Sequence, residues 1–150
     1  MRILVQRVSD AWVEFKDGST PHSGAGLLCL VGFAPEDSER LLEPMAAKLL
    51  YLRILEDPQG KMNLSLLDTK GGLVLVPQFT LYADCRKGRR PSFNGAMAPE
   101  AATRLFDGFI AQCRRLKPEV IVGKFGAEMQ VHLINDGPVT VLLDSVELSI

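Results

Sequence analysis

Cysteine is scarce in this chain: Cys29, Cys85 and Cys113 are 3 among 150 residues. They are odd in number, far apart and form no Cys-x-x-Cys pair. That excludes a disulfide framework and a zinc knuckle, and it predicts free, reduced thiols. Histidine is scarcer still. His22 and His132 come with no His-Glu-x-x-His or Cys/His cluster, so no ligand set for a catalytic metal is offered. Long apolar runs are missing as well. The longest, Ala25 to Ala34, includes Gly26 and Gly32 and falls well short of the ~18 residues of a membrane span. Met1-Arg2 leads directly into Ile3-Leu4-Val5, without the apolar block and cleavage site of a secretory leader, so a soluble, cytoplasmic, unprocessed protein is expected. Neither charge dominates: 17 Lys and Arg stand against 18 Asp and Glu, a net -1. A wholly basic nucleic-acid coat is thereby excluded, while a local basic patch is not. There is no internal repeat, linker, phosphate-binding loop or Gly-x-Ser-x-Gly elbow. Gly24-Ala25-Gly26 supplies only the first half of a dinucleotide fingerprint and reads as a turn between strands.

What remains is ordinary for one globular domain filling residues 1–150: 47% hydrophobic and 23% charged. A chain of this mass buries about two-thirds of its surface, leaving roughly 7,500 Å² exposed, so no metal or disulfide staple is needed. Arg2 to Phe15 reads as two strands broken at Ser9-Asp10, with Asp17-Gly18 closing the second. Leu27 to Val31 is continuously apolar, as a strand covered on both faces requires. Asp37 or Ser38 caps a helix with Leu41, Leu42, Met45, Leu49 and Leu50 on one face, and Pro44 is expected to kink it or delay its start. Arg53 to Glu56 is a brief strand before the turn Asp57-Pro58-Gln59-Gly60. Leu73 to Leu81 is the strongest strand. A long polar connection from Tyr82 to Ala98 follows, and its length makes it a functional candidate. Pro99 opens a helix with Leu105, Phe106, Phe109, Ile110, Cys113 and Leu116 as its apolar stripe, ended by Pro118. Val120 to Val122, Met129 to Ile134 and Val139 to Leu143 are closing strands. Seven or eight strands clustered in pairs, with two main helices, predict an α+β fold.

Three features rise above this background. Pro77-Gln78-Phe79-Thr80-Leu81 gathers an amide, an aromatic ring and a hydroxyl at the end of a buried strand, although a plain strand end packs the same residues. Asn135-Asp136-Gly137-Pro138 lies between two strands, and its X-Pro bond suits a cis turn as well as an ordinary hairpin. Arg86-Lys87-Gly88-Arg89-Arg90 suits phosphates, because guanidinium forks bind them bidentately, and equally suits a solvated charge run. His132, on an alternating strand, reads as a partly exposed strand residue.

At this spacing the combination resembles the D-aminoacyl-tRNA deacylase family from Met1 to about Ser145. The resemblance is carried by Arg2-Ile3-Leu4-Val5-Gln6-Arg7-Val8, Gly60-Lys61-Met62-Asn63-Leu64-Ser65 and Gln78-Phe79-Thr80-Leu81-Tyr82-Ala83-Asp84. Arg90-Pro91-Ser92-Phe93, Phe125-Gly126-Ala127-Glu128-Met129-Gln130-Val131 and Asn135-Asp136-Gly137-Pro138-Val139-Thr140 complete it. One position departs: Pro77 stands where the family typically has Ser, and proline offers neither a hydroxyl nor a backbone donor. That position also looks like its counterpart in a paralogous animal deacylase that clears mischarged L-alanine, whereas Phe79 and Pro138-Val139-Thr140 look like the D-selective branch. A deacylase of relaxed specificity is therefore one alternative.

The resemblance implies hydrolysis of the ester joining a D-amino acid, or glycine, to tRNA, without cofactor or metal. It implies a homodimer of barrel-like, mixed and largely antiparallel sheets with active sites at the interface. Gln78, Phe79 and Thr80 become the catalytic segment, with Thr80 either positioning the ester or attacking it. Gly137-Pro138 becomes a cis peptide that enters the partner's site and excludes L-amino acids. Phe125 and Met129 line an adenosine pocket, and Arg86, Lys87, Arg89 and Arg90 are candidates for the tRNA backbone. A non-catalytic nucleic-acid-binding module, built on the basic loop and a base-stacking surface, is the other alternative.

Overall fold

The structure, a computed structural model, describes residues 1–150. The first strand, β1, runs unbroken over Arg2–Phe15, which corrects the expectation of two strands. Val8 pairs with Asn135 and Asp10 with Ile134, so Ser9 is an extra residue in the ladder. A bulge absorbs the polar Ser9-Asp10 step and bends the strand without ending it. It also changes the buried face. Ile3 and Val5 pack with the helices, whereas Val8, Ala11 and Val13 pack in a second cluster.

Strand β2 (Gly18–Ser19) folds back on β1, and β3 (Gly26–Gly32) follows. A single 3-10 turn at Glu39–Leu41 precedes helix α1 (Leu42–Leu50), so the helix starts late, as Pro44 requires. Pro44 falls in the first turn, where its missing N–H has no intrahelical partner to lose. The β4 (Leu55–Glu56) and β5 (Met62–Leu64) pair forms a small hairpin. Ser65 caps the short α2 (Leu66–Thr69) reciprocally with Asp68, and β6 (Gly72–Pro77) comes next. Helix α3 (Pro99–Leu116) opens on its proline as expected, then β7 (Ile121–Val122) and β8 (Gln130–Asp144) close the chain.

The main sheet has the order β2-β1-β3-β6-β7, with β8 along the other side of β1. β1 is antiparallel to β2, β3 and β8, while β3, β6 and β7 are mutually parallel. The fold is thus α+β, a curled, mixed half-barrel sheet with two main helices. Helices α1 and α3 cover one face through Met45, Leu49, Phe106 and Phe109 against Ile3, Leu27 and Leu75. Leu28, Val74 and Val76 are buried on the opposite face, so β3 and β6 are covered on both sides, as their continuous apolar runs demand. Phe109 is fully buried, and truncating such a side chain to Ala costs about 3–5 kcal/mol. No helix is long and apolar enough to cross a membrane.

Two further expectations are corrected. β6 ends at Pro77 rather than Leu81, and Phe79–Tyr82 forms a 3-10 turn. The closing strands expected over Met129 to Ile134 and Val139 to Leu143 are one strand, β8, and residues 136–139 form a wide bulge in it instead of a hairpin.

Candidate active site

The carboxyl ends of the three parallel strands lie together, and at such an edge the chain must leave the sheet and its side chains converge. Pro77 is tolerated there for a local reason. Gln78 N–H donates to Val31 O at 2.7 Å, so the preceding residue faces β7, whose pairing stops at Val122 opposite Leu75. A proline on that side removes no ladder bond.

Beyond it the chain turns tightly over Gly32. A Cβ on Gly32 would come within 2.7 Å of Gln78 O and 3.2 Å of Leu81 Cβ, so only glycine lets the turn sit this close. The Gln78 side-chain amide donates to the Thr80 hydroxyl. Neither a histidine nor a carboxylate joins this pair, so Thr80 has no base to activate it. Phe79 is 48% exposed and meets the half-exposed Phe93 edge-on, with ring centres 5.2 Å apart. The catalytic segment expected from sequence is thus one surface turn, open to a large ligand.

The connection after Tyr82 folds back beside this turn through the reciprocal bonds Asp84 N–Ser92 O and Ser92 N–Asp84 O, at 2.7 and 2.9 Å. An open cleft of about 770 Å³ lies here, lined by Tyr82, Asp84, Cys85, Arg86, Ser92 and Asn94 among others. The four cations of the loop are not equivalent. Arg86 grips Asp84 bidentately at 2.8 and 2.7 Å, and this holds the Asp84 carboxyl well below the usual range. Lys87, Arg89 and Arg90 are exposed and make no ion pair.

Met129 reaches the same edge. A Cβ on Gly123 would lie 3.1 Å from Met129 Sδ and 3.3 Å from Pro77 Cδ. Phe125 leans the other way, 6.5 Å from Phe106 and against the helix-side core, so the two candidate pocket residues flank the edge instead of sharing one wall.

Gly137-Pro138 is cis and exposed, at the crest of the β8 bulge. Val8 pairs with Asn135 and Gln6 with Thr140, so the residues from Asp136 to Val139 are looped out opposite Arg7 alone. The Asn135 side chain brackets the loop, accepting from Val139 N–H at 2.8 Å and donating to Val139 O at 3.1 Å. This crest does not join the turn of its own chain. Arg7 lies level with Leu27 and Arg2 with Gly32, a separation of roughly 16 Å along the strand.

The model of the family described as D-Tyr-tRNA(Tyr) deacylase matches residues 4–144. This chain belongs to that family. A D-aminoacyl-tRNA deacylase of Teredinibacter turnerae is 52% identical over 145 residues, covering 97% of this chain and 100% of that one. One from Stenotrophomonas maltophilia is 54% identical over 144 residues, covering 95% and 99%. A solved structure described as a c-Myc DNA unwinding element binding protein superposes with a TM-score of 0.91 at 40% identity, covering 97% of this chain and 99% of that one. A probable eukaryotic D-amino acid tRNA deacylase shares the fold, with a TM-score of 0.84 at 19% identity over 95% and 97% of the two chains.

Within this deacylase fold, two arginines matter that sequence reading passed over as parts of an opening motif. Arg7 is 4% exposed and holds the bulge, and Arg2 reaches Leu81 O from β1, across the end of β3. Neither is marked by local pattern, because only the pairing of β1 with β8 and β3 brings them to their partners. His22 and His132 stand apart from the site. They stack on Trp12 at 4.2 and 4.6 Å and pair with Asp10 and Glu14. No group of three or more His, Cys, Asp or Glu gathers to hold a metal ion. The three cysteines are free, and burial pushes the Cys113 thiol up to about 12 and raises Cys29 as well.

Proposed function

We propose that this chain hydrolyses the ester of D-aminoacyl-tRNA, releasing free D-amino acid and tRNA. The observation that carries the reading is the Gln78–Thr80 turn, exposed at the carboxyl edge of the parallel strands in a chain that belongs to a deacylase family. Water adds to the ester carbonyl, and the bond from that carbon to the terminal ribose oxygen then breaks. The first two N–H groups of a 3-10 turn have no acceptor within it. Here they belong to Phe79 and Thr80, placed to receive the oxyanion while Gln78 orients the ester. An aminoacyl ester is already activated, and its neighbouring 2′-hydroxyl assists water, so positioning supplies the remaining catalysis.

Selectivity is proposed to arise by exclusion, with the Gly137-Pro138 carbonyls of a second copy occupying the space an L side chain needs. A main-chain wall rejects one hand whatever the side chain, and it lets glycine on tRNA pass. Three observations support a homodimer with the site at its interface. The crest lies far from its own chain's turn. The outer edge of the long strand β8 is unpaired, and such an edge invites a partner. The folded chain also exposes 8748 Å², above the roughly 7,500 Å² of a monomer of this mass, and Ile134 and Leu142 are bare on that strand. Lys87, Arg89 and Arg90 are proposed for the tRNA backbone, Met129 and Phe125 for the terminal adenosine, and the cytoplasm for the setting.

The test is incubation of D- and L-aminoacyl-tRNA with the protein, with and without EDTA, following free amino acid. Release from the D substrate alone, unaffected by EDTA, is expected. The rival reading, a non-catalytic nucleic-acid-binding module, predicts a protected ester instead; the relative described as a DNA-element-binding protein makes that outcome worth measuring.

A further inference from the structure

We propose that Arg2 is a positioning residue for the hydrolytic turn, fixing Phe79–Tyr82 against the end of the β1/β8 ladder; the inference rests on the deacylase reading above. Arg2 spends three parts of its guanidinium on this. Nη1 donates to Leu81 O at 3.0 Å, Nε donates to Asp144 Oδ2 at 2.7 Å, and Cζ lies over the Tyr82 ring, 4.7 Å from its centre. Leu81 N–H in turn donates to Gln78 O at 3.3 Å, and Ala83 N–H to Thr80 O at 3.0 Å. The bonds therefore run from Arg2 through Leu81 to the backbone of Gln78, while a separate bond within the same turn holds the backbone of Thr80.

The turn needs such a tie. It is four residues long with none buried, and a lone 3-10 turn has weak bonds of its own. Its other anchors are Gln78 N–H on Val31 and its packing on Gly32. Asp144 is a firm post for the arginine, because it is buried and also accepts from Val146 N–H at 3.0 Å. Arg2 itself keeps 38% of its side chain exposed, so it stands at the rim of the site and not in the core. Lysine has no fork or flat face, and cannot serve Leu81, Asp144 and Tyr82 together.

The experiment compares full-length wild type, Arg2→Lys and Arg2→Met in steady-state hydrolysis of one D-aminoacyl-tRNA, with amide hydrogen exchange measured on the same proteins. Arg2→Met is expected to lower kcat roughly ten- to a hundredfold with KM changed less than about threefold, since small displacements of positioned groups act on the chemical step. Exchange at Leu81 and Ala83 should quicken while the β3 and β6 amides keep their protection, and Arg2→Lys should recover part of kcat. Wild-type kcat in Arg2→Met, or exchange quickened uniformly through the core, overturns the inference. Wild-type protein that releases no amino acid overturns the deacylase reading and this inference with it, whereas equal activity in wild type and Arg2→Met overturns the inference alone.

Discussion

Arg7, in the middle of β1, donates its Nε–H to the carbonyl oxygen of Asp136 at 2.8 Å and so pins the bulge that carries Gly137-Pro138. Its Nη1 reaches Ile54 O at 3.1 Å, and its charge faces the carboxylates of Glu56 and Asp136 at 3.1 and 3.6 Å. A guanidinium is suited to this place because its donors point in fixed directions that match several acceptors at once. One residue thereby joins β1, the segment before β4 and the β8 crest.

Replacing Arg7 with Met should accordingly destabilise the fold and loosen the crest together. It leaves the Ile54 and Asp136 carbonyls without their donor, a cost of about 2–3 kcal/mol, and Tm should fall by about 5–10 °C. The ratio of D- to L-aminoacyl-tRNA hydrolysis should fall as well. Thermal denaturation and paired hydrolysis rates check this, and an unchanged Tm would mean that Asn135 alone holds the bulge.

Legibility in the sequence followed periodicity. The run Leu27 to Val31 and the stripe from Leu105 to Cys113 announced a doubly covered strand and a helix, because both patterns report burial directly. Phe79 and Leu81 look like two more alternating strand residues, yet the strand stops at Pro77 because β7 offers nothing beyond Val122 and the chain folds over Gly32. Asn135 to Pro138 has the local chemistry of a hairpin turn, but pairing with β1 on both sides of it makes β8 one continuous strand with residues 136–139 looped out. As candidates for the site, Gln78, Phe79 and Thr80 stood out through their resemblance to a known motif. Arg2 and Arg7 did not, since their partners lie 79 and 129 residues away in Leu81 and Asp136.

Thr80 carries a hydroxyl bonded to the Gln78 amide and to no base, and on the proposed deacylase reading it positions the ester and does not attack it. Thr80→Ala should therefore lose less than about tenfold in single-turnover rate, while a terminal 2′-deoxy substrate should react far more slowly with either protein. A mutant loss above roughly a thousandfold, about 4 kcal/mol, with the deoxy substrate unaffected would make Thr80 the nucleophile.

The basic loop divides into one structural cation and three free ones. Neutralising Arg89 and Arg90 should weaken tRNA binding and lower the slope of log affinity against log salt by about 0.7–0.9 for each lost phosphate contact. Arg86→Gln should leave that slope nearly unchanged, because Arg86 is already committed to Asp84. Equal slopes for wild type and the Arg89/Arg90 double variant would return both residues to the solvated surface.

Acid should unfold the protein partly through Asp144. Burial pushes this carboxyl up, but the Arg2 guanidinium, the Val146 amide and the N-terminal ammonium outweigh it and hold it below its ordinary 3.8. The sign follows: the stabilisation is complete above that ordinary value and is lost as pH falls through the lower, folded one. Asp144→Asn should lose about 1–3 kcal/mol at neutral pH. It should then show a shallower decline of stability in acid than wild type. Asp10, Asp68 and Asp84 are lowered too, by His22, Ser65 and Arg86, so the decline should not vanish. Urea unfolding at pH 7 and at a series of values below 4 measures both effects, and parallel curves would remove Asp144 from the account.

The last prediction concerns chirality and rests on the room around Gly137. Its φ of 156° is one that side chains rarely adopt, and an added Cβ would meet Val139 N at 2.5 Å and Val139 Cγ2 at 2.7 Å. Val139 cannot retreat, because it is buried in the helix-side core and its backbone is held at both ends by the Asn135 side chain. The bulge must therefore move in Gly137→Ala, carrying the Gly137 and Pro138 carbonyls with it. If those carbonyls form the wall against L side chains in a second copy, the variant should remain dimeric yet hydrolyse L-aminoacyl-tRNA at least about tenfold faster relative to D, a change of about 1.4 kcal/mol in discrimination. The Gln78–Thr80 turn is untouched by the substitution, so D-directed turnover should survive in part. Sedimentation and paired D and L rates decide it: a dimer with wild-type preference would place the chiral barrier elsewhere, and a monomer without activity would show that the crest builds the interface itself.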